Sequence, residues 1–158
     1  KFYFDFTVIK EKTNKLAFDL YCVDINGLLD REKIYSYDDD VERFTAFQIS
    51  VLEWINSWEH RPDIVHVHDH HAALIPFMMR NCFTYRKLSG IHTVLTIHNA
   101  QDQGWMGWEK ASYIPVWDTW KWGLLDWDNT LNPLAPGIDR RSTYFLARTV
   151  SVGVNFGF

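Results

Sequence analysis

Two short apolar runs separated by a helical segment constrain the fold of this chain more than any other feature of its sequence. Residues 63–68 read Asp-Ile-Val-His-Val-His, and residues 93–98 read Thr-Val-Leu-Thr-Ile-His. Between them, residues 72–81 are mostly apolar and predict a helix. Apolar strands joined through a helix are typical of a parallel βαβ unit, because such strands are covered on both faces. The sequence therefore predicts an α/β fold with a parallel sheet.

The segments before this unit predict a hairpin and a long helix. Residues 1–9 and 16–25 are rich in aromatic and β-branched side chains and flank a charged turn, which predicts an N-terminal β-hairpin. Apolar side chains recur along residues 41–58 at helical spacing, which predicts a helix that ends at Arg61-Pro62. The predicted apolar face of this helix consists of Val41, Phe44, Phe47, Val51, Trp54 or Ile55, and Trp58.

Composition and charge exclude several classes of protein. The 158 residues are 47% hydrophobic and 16% aromatic, which excludes a disordered chain and fits one domain. A net charge of −4 is a poor match for nucleic acid, so we expect no such partner. No apolar run of about 18 residues predicts a membrane span. Cys22 and Cys82 form no metal or redox motif. One disulfide between them is possible, but a reduced pair in a cytoplasmic protein is the simpler interpretation. Position 1 is Lys rather than Met, which suggests a piece of a longer protein.

Polar side chains follow both apolar strands at their C-terminal ends. His68-Asp69 ends one strand and His98-Asn99 ends the other. Ligands of open parallel sheets bind outside the carboxyl ends of the strands, so we expect these side chains to converge on one site. A carboxylate, two imidazoles and an amide are suited to hydrogen bonding a polyhydroxylated ligand.

A tryptophan-rich segment follows this predicted site directly. Residues 101–128 lose periodicity and hold six of the eight tryptophans, beginning with Trp105. Indole faces stack on sugar rings, which favours a glucan or nucleotide contact for the cluster as a whole. For any single tryptophan, packing of the loop onto the sheet is the favoured interpretation. Beyond it, residues 130–142 predict a helix interrupted by two prolines, and residues 149–152 predict the start of a strand.

Residues 66–71, which read His-Val-His-Asp-His-His, raise the alternative of a metal site. His66 and His68 face the same side of a strand and could share one ion, as in metal-dependent hydrolases. Further ligands would have to come from His60, His92 or His98, and no spacing points to them. We therefore favour no metal, and for His66 we favour a core imidazole with a backbone partner.

Five segments, in order along the chain, resemble motifs of bacterial glycogen synthases and plant starch synthases. Residues 40–44 resemble the "DNxERF" start of a helix, residues 62–71 the "PDIVHxHDWH" segment, and residues 96–104 the "TIHNxxxQG" segment. Residues 123–135 resemble the Bacteroidetes-like variant of the family, and residues 149–151 resemble its "TVSP" strand. Each match is weak alone, but together they form a specific signal.

The resemblance implies a GT-B glycosyltransferase, built from two Rossmann-like domains that face each other across a cleft. Such enzymes transfer glucose from ADP-glucose or UDP-glucose to the non-reducing end of an α-1,4-glucan, with retention of configuration and with no metal or cofactor. Residues 1–158 would form part of the N-terminal, acceptor-side domain. The family's Lys-x-Gly-Gly loop does not occur in this sequence, and the C-terminal nucleotide-sugar domain is absent from it. We therefore expect the chain to be inactive on its own.

By the same resemblance, Asp69 and His98 would be catalytic residues in the acceptor-side wall of the active site. Asn99, Gln103 and Gly104 would shape the loop beside them, and together with His68 and Trp105 they are the candidate substrate-binding residues. The sequence also departs from the family, since His70 replaces a tryptophan, Asp102 a tyrosine, and residues 139–148 and 153–158 do not match. The alternatives are a non-catalytic glucan-binding module that uses Trp105 or Trp108, and a metal-dependent hydrolase that uses His66, His68 and His98.

Overall fold

The computed structural model describes residues 2–13, 15–99, 106–117 and 130–131. Near its N-terminus, strands β1 (Thr7–Lys10) and β2 (Tyr21–Asp24) pair antiparallel, with Thr7 opposite Asp24 and Lys10 opposite Tyr21. The predicted hairpin is therefore confirmed, although its strands are shorter than the aromatic and β-branched runs suggested. Strand β1 includes Lys10 of the predicted charged turn, and residues 16–20 of the second run belong to the connection between the strands.

Helix α1 (Asp40–Ser57) confirms the predicted long helix, although it ends at Ser57 and not at Arg61-Pro62. Asp40 and Glu42 lie in its first turn, where acidic side chains interact favourably with the helix dipole. The side chain of Asp40 also accepts hydrogen bonds from the backbone N–H groups of Ser36 and Tyr37, at 2.6 and 3.1 Å. These contacts fix the path of the chain into the helix.

The side chains of the predicted apolar face of α1 are not its most buried ones, although Val41 and Val51 pack against the core. Of its members only Ile55 is buried, and the others are half-buried. The fully buried positions are instead mainly small or polar, namely Arg43, Thr45, Ala46, Gln48, Ser50 and Leu52. Apolar periodicity marks the most hydrophobic side of a helix, whereas small side chains let neighbouring helices approach closely. In this structure the neighbouring helices cover the side of α1 that carries the small and polar side chains.

Strands β3 (Ile64–His68) and β4 (His92–Thr96) pair in parallel, with Ile64 opposite His92 and His68 opposite Thr96. Between them run helices α2 (Asp69–Ala72) and α3 (Leu74–Asn81), followed by a 3-10 helix (Phe83–Leu88). This confirms the predicted parallel βαβ unit. The second strand ends at Thr96, so His98 and Asn99 lie just beyond it rather than within it.

The core lies between this unit and α1. Along β3, Val65 and Val67 are buried while Ile64, His66 and His68 are exposed, because alternate side chains of a strand point to opposite faces. The rest of the core comes mainly from α1, α3 and the segment after α3, and includes Leu52, Ile55, Leu74, Ile75, Phe77, Met78, Met79, Cys82, Tyr85 and Leu88.

A short segment after the βαβ unit packs back onto α3. Trp117 is buried against Phe77, with ring centroids 5.4 Å apart, and the Cys82 thiol donates a hydrogen bond to the carbonyl of Pro115. Cys22 and Cys82 are both free thiols. Within the described ranges, no helix combines the length and the hydropathy that crossing a membrane would require.

Two further strands lie outside the βαβ unit. Strand β5 (Met106–Gly107) pairs antiparallel with β6 (Thr130–Leu131), and a 3-10 helix (Trp108–Tyr113) follows β5 directly. The prediction of a helix from residue 130 is therefore wrong at residues 130–131, where backbone pairing to β5 replaces it. Residues 132–142 and the strand predicted at 149–152 lie outside the described residues.

Candidate functional site

Asp69 joins the ends of the two parallel strands. It follows β3 directly and has a φ of +53°, in the left-handed region that few non-glycine residues adopt. Aspartate tolerates this conformation because its short polar side chain can form local hydrogen bonds. Here its Oδ1 accepts hydrogen bonds from the backbone N–H groups of His98 and Asn99, at 2.6 and 3.3 Å. The predicted convergence of His68-Asp69 with His98-Asn99 is thus confirmed.

The same contacts determine the charge of Asp69. Partial burial acts to raise the pKa of its carboxyl group, but the N–H groups of His98 and Asn99 outweigh this effect. Positive charge on His98 and His71 adds to them, so the pKa lies below the ordinary value of 3.8. At neutral pH the side chain is therefore a carboxylate, which accepts hydrogen bonds and stabilises positive charge but does not donate a proton.

Three imidazoles stand in a row at this edge of the sheet. Nδ1 of His68 lies 3.0 Å from Nε2 of His98, and the two rings are nearly parallel, with centroids 5.2 Å apart. The ring centroids of His66 and His68 are 4.3 Å apart. All three side chains are exposed, so the row is open to a ligand.

The expectation that His66 is a core imidazole with a backbone partner was wrong. Its ring is exposed, and its Nε2 lies 2.7 Å from the hydroxyl oxygen of Thr96. The reason is strand parity, since His66 shares the exposed side of β3 with His68 while Val65 and Val67 point into the core. Thr96 is a site residue that the sequence reasoning missed, because its place opposite His68 depends on the register of the two strands.

The environment of His68 favours its neutral form. Partial burial lowers the pKa of this imidazole below its ordinary value of 6.5, and positive charge on His66 and His98 lowers it further. The carboxylate of Asp69 opposes these effects without reversing them. A neutral imidazole has one donor nitrogen and one acceptor nitrogen, so His68 can either give or take the hydrogen bond with His98.

A groove of about 470 Å³ runs beside the site. Its lining includes both the buried and the exposed side chains of β3, which places it along the edge of that strand. The rest of the lining is mainly apolar and includes Phe47, Val51, Trp58 and Ile75, together with His71. The half-buried face of α1 thus forms one wall of the groove.

A contact from α1 holds part of the tryptophan-rich segment, at residues 110–113. Lys110 and Tyr113 both bind the same oxygen of Glu42, at 2.5 and 3.0 Å. Burial acts to raise the pKa of Glu42, but these hydrogen bonds and the charge of Lys110 outweigh it and lower the pKa overall. The sequence reasoning missed this contact because its partners are 68 or more residues apart and no local pattern links them.

Several predicted residues cannot be placed in the site. Gln103, Gly104 and Trp105 lie outside the described residues. Trp117, whose side chain is described, is buried in the core, as the packing interpretation of a single tryptophan expects. The glucan-binding module through Trp105 or Trp108 stays a prediction. Across the described ranges, no three or more His, Cys, Asp or Glu side chains are arranged to hold a metal ion, so the hydrolase alternative finds no ligand set there.

Comparison with known proteins identifies the family. The family described as "Starch synthase catalytic domain" matches residues 2–142. The chain belongs to this family. It is 45% identical over 137 residues to the glycogen synthase of Flavobacterium johnsoniae, which covers 87% of this chain and 29% of that protein. It is 34% identical over 131 residues to the glycogen synthase of Streptococcus pneumoniae, covering 81% and 28% respectively.

A solved structure of a family member shows the same fold. It is the catalytic domain of starch synthase IV from Arabidopsis thaliana bound to ADP and acarbose. The TM-score is 0.63 at 21% identity, covering 73% of this chain and 25% of that one. The likeness confirms an α/β fold with a small parallel sheet, related to the GT-B catalytic domain of starch synthases. The chain spans less than a third of the length of the relatives it matches.

Proposed function

We propose that residues 1–158 form part of the N-terminal, acceptor-side Rossmann-like domain of a glycogen or starch synthase. The parent enzyme would transfer glucose from a nucleotide sugar to the non-reducing end of an α-1,4-glucan, with retention of configuration and without a metal or cofactor. One observation carries the proposal: in a member of this family, Asp69 ties the ends of two parallel strands together and holds His98 and Asn99 beside it.

The comparisons support particular substrates. The Arabidopsis starch synthase was solved with ADP and acarbose, which favours ADP-glucose as the donor, ahead of UDP-glucose, and a glucan as the acceptor. The side chains of His68, His98 and Asp69 are suited to hydrogen bonding sugar hydroxyl groups, since they combine a neutral imidazole with a carboxylate. No feature of the described site residues indicates binding to nucleic acid.

Each site residue has a role that its contacts allow. Because Nε2 of His98 faces His68, the other ring nitrogen, Nδ1, is the one that remains for a hydroxyl of the transferred glucose. Oδ1 of Asp69 is used by two backbone N–H groups, so Oδ2 is the oxygen that would face the reacting sugars. A transfer through an oxocarbenium-like state depends on groups held in position before the reaction, which is what these contacts provide.

The experiment that tests the proposal is a chimera. The matched segment of the Flavobacterium johnsoniae glycogen synthase is replaced by the corresponding 137 residues of this chain. We expect the chimera to incorporate glucose from ADP-glucose into glycogen, and Asp69→Asn and His98→Ala each to lower kcat by roughly 100-fold or more. The 158-residue chain alone should incorporate none.

The matched control is His92→Ala, because His92 is an exposed histidine at the opposite end of β4. It should leave kcat close to that of the chimera. A folded chimera without activity would contradict the proposal, as would Asp69→Asn and His98→Ala variants that are as active as His92→Ala. Glucose incorporation by the isolated chain would overturn the expectation that a second domain is needed.

A further inference from the structure

His98 is held at two points, by two different residues. Asp69 binds its backbone N–H at 2.6 Å, and His68 binds its ring, with 3.0 Å between Nδ1 of His68 and Nε2 of His98. A backbone contact alone leaves the side chain free to rotate about its own bonds. The ring contact removes that freedom, because only certain rotations keep the two nitrogens within hydrogen-bonding distance.

The ring contact also constrains protonation. A hydrogen bond between two imidazole nitrogens needs one donor and one acceptor, so the two facing nitrogens share a single hydrogen. If both rings were protonated, both nitrogens would be donors and the contact would become repulsive. Partial burial lowers the pKa of His68 and favours its neutral form, and His66, whose ring centroid lies 4.3 Å away, adds to this effect. The nitrogen of His98 that faces away from His68 is thereby kept available at a defined position.

His68 contributes little to the core. Its side chain is exposed, whereas the alternate residues Val65 and Val67 supply the buried face of β3. Replacing it should therefore change the stability of the fold much less than replacing either valine. A large effect on activity would then have to arise in the site itself.

We infer that His68 is a positioning residue for His98: its ring orients the His98 ring for contact with the transferred sugar. This inference deepens the proposed function and rests on it. The resemblance to the family assigned no such role to His68; the pairing of its Nδ1 with Nε2 of His98 assigns it.

The test uses the active chimera with three variants of this pair. His68→Ala removes the ring contact and should lower kcat by up to about 100-fold with little change in KM, because a misplaced catalytic group mainly affects the transition state. His68→Asn keeps a polar atom near the position of Nδ1 and should restore most of the activity. The double variant with His98→Ala should be no slower than His98→Ala alone, since His68 acts through His98.

The outcomes separate this inference from the proposed function. If His98→Ala and Asp69→Asn are inactive while His68→Ala matches the His92→Ala control, the inference fails and the proposed function stands. Fully additive effects in the double variant, or a His68→Asn variant as slow as His68→Ala, would also overturn the inference. If His98→Ala remains fully active, the proposed function itself fails. Thermal unfolding of each variant, compared with His92→Ala, shows whether it is folded.

Discussion

At the scale of single residues, Asp69 connects backbone geometry with chemistry. Its positive φ lets the chain turn at the end of β3. The turn brings its carboxylate within hydrogen-bonding distance of the N–H groups of His98 and Asn99. Glycine would adopt this φ more easily but would lack the carboxylate. The hydrogen bonds of the aspartate side chain therefore offset the conformational cost of its positive φ.

This contact predicts a pH dependence of stability. The folded-state pKa of Asp69 lies below the ordinary value of 3.8, so its ionised form stabilises the fold fully above that value. The contribution is lost as the pH falls through the lower, folded-state pKa. We expect Asp69→Asn to reduce the free energy of unfolding by about 1–2 kcal/mol at neutral pH, and the difference to vanish in acid. Urea unfolding of the chain across this pH range measures it.

Asp63→Asn is the control for this prediction, because Asp63 is an exposed aspartate just before β3. Its effect on the free energy of unfolding should be small. A wild-type to Asp69→Asn difference that stays constant or grows towards acid would show that the carboxylate is not stabilised by the backbone N–H groups.

At the scale of elements, a buried glutamine links α1 to α3. The side-chain oxygen of Gln48 accepts a hydrogen bond from the backbone N–H of Leu74 at 2.8 Å, and its amide donates to the carbonyl of Phe44 at 3.0 Å. Leu74 is the first residue of α3, where a backbone N–H has no partner within the helix. The side chain of Gln48 in α1 therefore caps the N-terminus of α3, and this contact fixes how the two helices pack.

We predict that Gln48→Leu lowers the free energy of unfolding by about 1–3 kcal/mol, because it leaves the buried N–H of Leu74 unpaired. Ser50→Ala is the control, since Ser50 is equally buried but bonds only to the carbonyl of Ala46 in its own helix. That change should cost less, because a serine that bonds back to the carbonyl four residues earlier does not add to helix stability. Chemical denaturation measures both, and equal losses would argue against the interhelical cap.

At the scale of the whole molecule, the parallel sheet is narrow. In the part of the chain that the structure describes, β3 pairs with β4 alone, and the apolar groove runs along the edge of β3. Ile64 at the start of this strand is 57% exposed. A strand edge flanked by apolar surface is a template for pairing with another chain. The 158-residue chain is therefore expected to self-associate through this edge.

A charge at the strand edge should oppose this association. We predict that Ile64→Lys shifts the chain towards monomer, and sedimentation velocity over a range of concentrations measures the shift. Val116→Lys is the control, because Val116 is 74% exposed but lies outside the strands of the sheet. A wild-type chain that stays monomeric, or equal effects of the two lysines, would contradict pairing through β3.

The sequence by itself determined the family, the parallel βαβ unit, the presence of α1 and the meeting of His68-Asp69 with His98-Asn99. These follow from local patterns, since apolar periodicity sets the elements and parallel strands end at one edge of a sheet. Tertiary structure alone decided which sides of α1 are buried, the exposure of His66, the hydrogen bonds of Asp69 to the backbone, the capping by Gln48, and the pairing of His68 with His98. Each of these features depends on contacts between segments that are far apart in the chain. Strand register and helix packing bring those segments within a few ångströms of each other, and no local sequence pattern does so.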